Sequence, residues 1–342
     1  MSGEKRYITE QPKDFRETLA EAWNGLHPER PVEVAGFDLE RAKEVERIDE
    51  WITEHFPSIL KQYDVDPNVI CENENGYCEL PVLRHFSAER LPEGYGYKGG
   101  AARALLGRTL GFDVESIPRD VDVIRLRKDE SRPGLDAELA QHFMPDDFST
   151  GYGVEHITDL EEYLASRDIT LNEVLATDEK IFATKQCIVD SIRHILRPTK
   201  YERRGWDADG FDGGLSEKIL AKILRFYSDS IARFDDAHIE GVEDWEYEEY
   251  FISPFWVALN LDRAVEQGED IALLYIRACA RKGQLPGDIT TVDEVVSYLE
   301  RLLGDGRFYF RHAPVVQFDT ERNWDQEQER FDSDEKLKAL RF

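Results

Sequence analysis

The sequence predicts an α+β protein in which a strand-containing middle region is flanked by mainly helical regions. Apolar residues recur at helical spacing from Val45 to Ile59, and again over residues 215–234. Between them, residues 120–126 alternate polar and apolar side chains, as a half-buried strand does. We therefore expect three regions: a helical N-terminal extension over 1–80, a sheet-bearing domain over 81–200, and a helical region with a charged C-terminal tail over 201–342.

The composition excludes several classes of protein. The 342 residues include 43 Lys and Arg against 71 Asp and Glu, which gives a formal net charge of −28. This charge argues against non-specific nucleic-acid binding, because a polyanion repels an acidic protein. The chain has no apolar run near the about 18–20 residues of a membrane span, no secretory signal core, and only 4 cysteines, too few for a disulfide framework. We expect a soluble, cytoplasmic protein with no membrane partner.

The N-terminal extension is expected to be helical over residues 14–62, with Pro57 breaking or restarting the helix. Residues 63–80 are rich in turn formers and predict a connector. Cys71 and Cys78 lie within this connector, and no further ligands accompany them at the spacing of a metal site. We interpret them as two unrelated free thiols.

The middle region begins with a glycine-rich loop that leads into a short helix, ARALLGRTLG. Pro118 marks the turn after this helix, and the alternating strand follows it. The later segments with helical patterns are residues 158–176 (at both ends), 185–197 (a short strand or helix), 215–234, 254–282 and 292–304.

Asp120 and Asp122 are the candidate catalytic residues and metal ligands. Residues i and i+2 of a strand point the same way, so two carboxylates can converge there on hard divalent cations, which prefer oxygen ligands. Two such ions can clamp the attacking and leaving oxygens of a phosphoryl transfer. An Asp-x-Asp pair is weak evidence in so acidic a chain, but its apolar strand and the upstream glycine loop distinguish this one.

Gly99, Gly100 and Arg103 are candidate phosphate-binding residues. Glycines let the backbone approach a ligand closely and expose N–H groups at the start of a helix. Arg103, one helical turn later, adds charge-assisted hydrogen bonds. A Gly-Gly step alone is typical of a tight turn before a surface helix, but the arginine and the aspartate pair that follow favour a triphosphate site.

These segments resemble the head-domain signature of the class II tRNA nucleotidyltransferases and bacterial poly(A) polymerases, within the polymerase-beta-like nucleotidyltransferase superfamily. GGAARALLGR followed by RDVDVI resembles the family's glycine motif and its Asp-x-Asp pair. LEEYLASRDITLNEVLA resembles its Arg-Asp motif. The three motifs occur in the family's order over residues 95–200.

The resemblance implies a nucleotidyltransferase head, which is a small mixed sheet with helices on one side, followed by a helical neck and body. It also implies that Asp120 and Asp122 bind two Mg²⁺ ions. A nucleoside triphosphate would be the substrate, and the residues that bind it or brace its site would be Gly99, Gly100, Arg103, Arg167, Asp168 and Asn172.

The sequence departs from the family's pattern at several positions. Ala104 stands where the family has an aspartate, and Ser166 replaces the first arginine of its Arg-Arg-Asp. In the neck motif that reads the base, Lys218 and Ala221 occupy the places of Asp and Arg. The selection of CTP and ATP by that motif is therefore not expected here.

The acceptor is the part of the reaction that the sequence specifies least. Arg197, Lys200, Arg203 and Arg204 form a basic stretch that predicts contact with an RNA backbone or phosphate, or equally a set of surface charges that pair with acids. Glu155 is a candidate third carboxylate. We expect Mg²⁺-dependent transfer of a nucleoside monophosphate to a hydroxyl, with a tRNA-like RNA 3′ end favoured. The alternatives are a protein or small-molecule acceptor, and a non-catalytic nucleotide-binding module.

Overall fold

The computed structural model describes residues 39–73, 76–114, 117–118, 120–126, 132–144, 154–157, 159–199, 217–241, 252 and 254–303. These residues form a mixed α+β fold. Its helices are α1 Leu39–Gln62, α2 Gly99–Leu110, α3 Pro133–Phe143, α4 Leu160–Ala165, α5 Lys185–Ile192, α6 Glu217–Ile231, α7 Pro254–Gln267, α8 Glu269–Arg281 and α9 Val292–Leu303. Its strands are β1 Cys71–Glu72, β2 Tyr77–Pro81, β3 Tyr95–Lys98, β4 Asp122–Arg125, β5 Glu155–His156, β6 Val174–Ala176, β7 Lys180–Thr184, β8 Ile195–Leu196 and β9 His238–Ile239.

Seven strands form one mixed sheet in the order β1-β2-β7-β6-β3-β4-β5. Neighbouring strands are antiparallel except β4 and β5, which are parallel. In the β3–β4 pair, Lys98 lies opposite Asp122. In the β4–β5 pair, Ile124 lies opposite Glu155. β8 and β9 form a separate parallel ladder.

The sheet is covered on both faces near β4. Val123 and Ile124 are adjacent and both fully buried, but they belong to different apolar clusters. The larger cluster holds Val123 with side chains from α1, α2, α3 and α5. The smaller cluster holds Ile124 with Tyr163 and Leu164 of α4. The strand that carries Asp122 is therefore held from both sides.

A third apolar cluster joins the helices α6 to α9 and forms the core of the C-terminal half. Ile169 and Leu196, which flank α5 in the sheet-bearing half, are buried in this same cluster. The two halves are thus packed together next to the turn that follows α4. No helix in the described ranges has both the length and the apolar character that crossing a membrane requires.

The described part of the N-terminal extension packs on the sheet, which differs from the expected separate helical region. Ile52 and Phe56 of α1 are buried in the large sheet cluster, and α1 continues through Pro57. β1 lies within the expected connector, and β2 crosses the expected boundary at residue 80. β2 pairs with β7, about 100 residues later, and no local pattern reveals such a pairing.

Two other expectations change in detail. The segment expected to be helical at both ends has a helix only at its start, because residues 174–176 form β6 between two other strands of the sheet. The helix expected over 254–282 divides at Gly268, whose φ of 140° lies outside the helical region.

Replacing Phe56 with alanine should lower the free energy of unfolding by about 3–5 kcal/mol, because its side chain is 2% exposed in the sheet core. Trp51→Ala, on the same helix, should cost less than about 1 kcal/mol, because Trp51 is 45% exposed. Urea unfolding of the full chain measures both. Equal costs for the two variants would contradict the docking of α1 on the sheet.

Candidate active site at the β3–α2 turn

The glycine loop forms an abrupt strand-to-helix turn that faces Asp122. β3 ends at Lys98, and α2 begins at Gly99, whose φ is +56°. A Cβ atom at position 99 would lie 2.9 Å from Oδ2 of Asp122, closer than non-bonded atoms approach. Both the backbone conformation and the position of the neighbouring carboxylate therefore favour glycine here.

Asp122 and Asp120 flank this turn, but they do not share a strand as the sequence predicted. β4 begins at Asp122, and Asp120 lies two residues before it, exposed in a bend. The strand cannot extend to Asp120, because its partner β3 ends at Lys98, opposite Asp122. The backbone carbonyl of Asp120 lies 3.8 Å from the position of a Cβ on Gly100, so both aspartates remain beside the glycine turn.

The donor set at the turn fits a magnesium ion that arrives with a nucleotide. Among the described residues, no group of three or more His, Cys, Asp and Glu side chains is arranged to hold a metal ion. Mg²⁺, however, is commonly held by one or two carboxylates together with substrate phosphates and water. Asp120 and Asp122 supply two carboxylates, and the N-terminus of α2 beside them favours phosphate.

Glu155, the candidate third carboxylate, lies on β5 and forms an ion pair with Lys98 at 2.5 Å. Burial raises the pKa of Glu155, but the charge and hydrogen bond of Lys98 outweigh this effect and leave the pKa below its ordinary value. Lys98 immediately precedes Gly99. This ion pair therefore links the edge of the sheet to the glycine turn.

A polar chain connects α2 to α6 through the turn at residues 170–172. A guanidinium nitrogen of Arg103 donates to Oδ1 of Asn172. Nδ2 of Asn172 donates to Oδ1 of Asp168 at 2.7 Å. Nζ of Lys222, on α6, donates to the other carboxylate oxygen of Asp168. Of the predicted residues, Asn172 thus bridges Arg103 and Asp168.

Burial and neighbouring charges shift the pKa of Asp168 in opposite directions. Burial alone would raise the pKa of Asp168, but the Lys222 charge and hydrogen bonds from Lys222, Asn172 and the Ile169 N–H hold that pKa well below its usual range. Burial lowers the pKa of Lys222 and of Arg103. Asp168 is therefore ionised and occupied by protein donors.

Arg167 folds back on α4, the helix that precedes it. Its Nε donates to the carbonyl of Tyr163 at 2.9 Å, and its guanidinium carbon lies 3.9 Å from the centroid of the Tyr163 ring. Arg167 and Asp168 are not among the described residues that line the cavity beside the glycine turn. These contacts fit a bracing role for both residues better than direct nucleotide contact.

A cavity of about 1560 Å³ lies between the glycine turn and the helices α6 and α7. Its sheet side includes six predicted residues, which are Gly99, Gly100, Arg103, Asp120, Asp122 and Asn172. Its opposite side is formed by α6 and α7, including Lys222, Arg225 and Asp229 of α6 and Asp262 and Glu266 of α7. The structure thus brings six of the eight predicted metal- and nucleotide-binding residues to one cavity. The opposite side of the cavity consists of residues that the sequence did not identify.

The spacing of the polar residues in α6 could have identified its cavity-facing side from the sequence. Positions 222, 225, 226 and 229 share one face of α6, and the apolar residues other than Phe226 lie mainly on the opposite face. The two α6 residues considered from the sequence, Lys218 and Ala221, are not among the described residues that line the cavity. Ala221 is fully buried in the helical core, and Nζ of Lys218 lies 5.5 Å from the centroid of the Trp256 ring.

The predicted RNA-binding stretch is only partly described. Arg197 is 2% exposed and forms ion pairs with Asp190 at 3.2 Å and Glu240 at 2.6 Å. This corrects its assignment as a phosphate contact, because two carboxylates hold it in the interior. Lys200, Arg203 and Arg204 lie outside the described residues.

Comparison of the chain with protein-family models and with curated proteins finds no match. The assignment of a function therefore depends on the residues of this chain and on their geometry.

Asp168→Asn should lower the free energy of unfolding at pH 7 by about 2 kcal/mol, less than for a fully buried pair because Asp168 and Lys222 are each about a quarter exposed. The pKa of Asp168 is lowered in the folded state, so its contribution is present above the unfolded-state pKa of about 3.9 and is lost below it. The difference between wild type and variant should therefore be constant above about pH 5 and shrink below about pH 4.

Urea unfolding between pH 7 and pH 3 measures this difference. Glu79→Gln, which removes the exposed ion pair with Lys180, is the matched control and should change stability far less. A difference between wild type and Asp168→Asn that grows on acidification would contradict the link to Lys222.

Proposed function

We propose that this protein is a Mg²⁺-dependent nucleotidyltransferase that moves a nucleoside monophosphate from a nucleoside triphosphate to an acceptor hydroxyl. The observation that carries the proposal is the close approach of the Asp122 carboxylate to Gly99 at the turn between β3 and α2. There the first N–H groups of a helix and a carboxylate meet at one edge of a large cavity. Phosphate oxygens suit the former, and a cation suits the latter.

Each part of the site has a role that follows from its chemistry. The N–H groups at the start of α2 bind phosphate oxygens, and the guanidinium of Arg103, one turn later, adds a fixed positive charge. Asn172 orients that guanidinium by accepting one of its hydrogen bonds. Asp120 and Asp122 would hold Mg²⁺, which supplies neutralisation of the phosphate charge when bound.

The reaction forms a bond between the acceptor oxygen and the α-phosphorus, and breaks the bond from that phosphorus to the bridging oxygen. Pyrophosphate leaves, and the proton of the hydroxyl passes to water. Catalysis of this kind depends on positioning and on charge stabilisation more than on covalent chemistry by the protein. A rigid turn between a strand buried on both sides and a helix is suited to such positioning.

The acceptor is proposed from the sequence resemblance, which favours an RNA 3′ end. A protein or small-molecule acceptor is the second candidate, because Arg197 of the predicted phosphate-binding stretch is buried against carboxylates. Incubation of the protein with Mg²⁺, each labelled triphosphate, and either total RNA or cell lysate identifies which molecule receives the label.

Asp122→Asn should reduce transfer by about a hundredfold or more, because it removes a charge from the cation site while keeping the side-chain shape. The fold should be retained. Asp270→Asn, at the exposed first turn of α8, is the matched control and should transfer label at the wild-type rate. Near-normal turnover by Asp122→Asn, or transfer from none of the four triphosphates by wild type, would refute the proposal.

Gly99→Ala and Gly111→Ala separate backbone strain from displacement of Asp122. Both glycines have positive φ, at 56° and 84°, and they begin and follow the same helix. Each alanine should cost about 1–2 kcal/mol of stability. Only the Cβ at position 99 meets the Asp122 carboxylate, since nothing lies within 4 Å of a Cβ at position 111.

Transfer assays below the unfolding temperature of both variants should show a large loss for Gly99→Ala and little change for Gly111→Ala. Equal losses would mean that the approach of Asp122 to the turn has no role in the reaction.

A further inference from the structure

We propose that α6 supplies a second half of the triphosphate site, in which Lys222, together with Arg103 and Arg225, binds the terminal phosphates of the nucleotide and the pyrophosphate that leaves. This inference rests on the proposed function for the identity of the anion. The polyphosphate-binding property itself can be measured without any nucleotide.

Three cationic side chains converge on the ring of Phe226. The guanidinium carbons of Arg103 and Arg225 lie 4.7 Å and 4.6 Å from the ring centroid, and Nζ of Lys222 lies 5.8 Å from it. All four side chains line the cavity beside the glycine turn. Arg103 comes from α2 and the other three from α6, so the cluster spans the cavity wall between the two halves of the protein.

Neutral amides orient the two arginines within this cluster. Arg103 donates to the side-chain oxygen of Asn172. Arg225 donates to the side-chain oxygens of Asn260 at 3.0 Å and Gln267 at 3.3 Å, both on α7. An amide oxygen fixes the direction of a guanidinium. These contacts orient the two guanidinium groups beside the cavity, where the charges of Asp229, Asp168 and Asp122 also act on Arg103.

Lys222 is more accessible than Arg225 to an anion in the cavity. Its side chain is 23% exposed, whereas Arg225 as a whole is 6% exposed. Lys222 hydrogen-bonds one oxygen of Asp168, and an ammonium group has three donors, which leaves capacity for a phosphate. Burial lowers the pKa of Lys222, its interaction with Asp168 raises it in part, and the charges of Arg225 and Arg103 lower it further. A bound polyanion would offset the repulsion among the three cations.

The position of the cluster matches a phosphate chain that begins at the glycine turn. A terminal guanidinium nitrogen of Arg103 lies 3.8 Å from the position of a Cβ on Gly100. Arg103 therefore stands between the N-terminus of α2 and the charges of α6. A triphosphate whose α-phosphate lies near Asp122 could extend past Arg103 towards Lys222.

The competing explanation is that Lys222 serves only as the counterion of Asp168. Lys222→Met alone cannot separate the two roles, because it leaves the Asp168 charge uncompensated. The double variant Asp168→Asn/Lys222→Met removes both charges and keeps an oxygen that accepts from Asn172. If Lys222 is only a counterion, the double variant should bind anions as wild type does.

The test is isothermal titration of the full chain with inorganic tripolyphosphate in the presence of Mg²⁺ at low ionic strength. Lys222→Met and the double variant should both bind about 10- to 100-fold more weakly than wild type, as expected for the loss of a charge-assisted contact. Lys218→Met is the matched control, one turn earlier on α6 and outside the cavity lining, and should bind within about twofold of wild type.

Recovery of wild-type affinity in the double variant would overturn the proposal, as would the absence of tripolyphosphate binding by wild type. An equal loss in Lys218→Met would also overturn it, because the effect would then be one of general charge. If tripolyphosphate binds as expected while no triphosphate donates a nucleotide, the polyphosphate site stands and the proposed transfer fails.

Discussion

The close packing of the Asp122 carboxylate against Gly99 is the constraint on which the rest of the site depends. Lys98 and Asp122 are opposite each other in the β3–β4 pair, so the residue after Lys98 must leave the sheet where the carboxylate stands. A Cβ at that residue would displace the Asp122 carboxylate and would strain the backbone. The same geometry aims the first N–H groups of α2 and the two aspartates at one cavity.

The second organising feature is the polar chain that joins the two halves of the protein. Arg103, Asn172, Asp168 and Lys222 form consecutive hydrogen bonds from α2 to α6. Apolar packing of Ile169 and Leu196 in the helical core surrounds this connection. Apolar contacts fix the distance between the halves, and the directional hydrogen bonds fix which side chains face the cavity.

Local patterns predicted the glycine loop, the helix after it, the strand with Asp122 and the long amphipathic helix α6. Each of these depends on the period of neighbouring residues, and their existence followed from the sequence. The residue at which β4 begins did not follow from the sequence. β4 begins at Asp122 and leaves Asp120 outside, because the partner strand β3 ends at Lys98, opposite Asp122. The burial of Arg197 likewise depended on its ion pairs with Asp190 and with Glu240, which lies more than 40 residues later.

The sequence by itself determined the mixed α+β class, the position of the strand-to-helix turn and most of the charged groups near it, because these are encoded by residue type and spacing over a few positions. The tertiary structure alone decided that α1 packs on the sheet and β2 pairs within it, that Arg167 folds back on Tyr163, and that Lys222 and Arg103 meet at the ring of Phe226. Such contacts join residues far apart in the chain, and no local period specifies which of many acidic and basic side chains will meet.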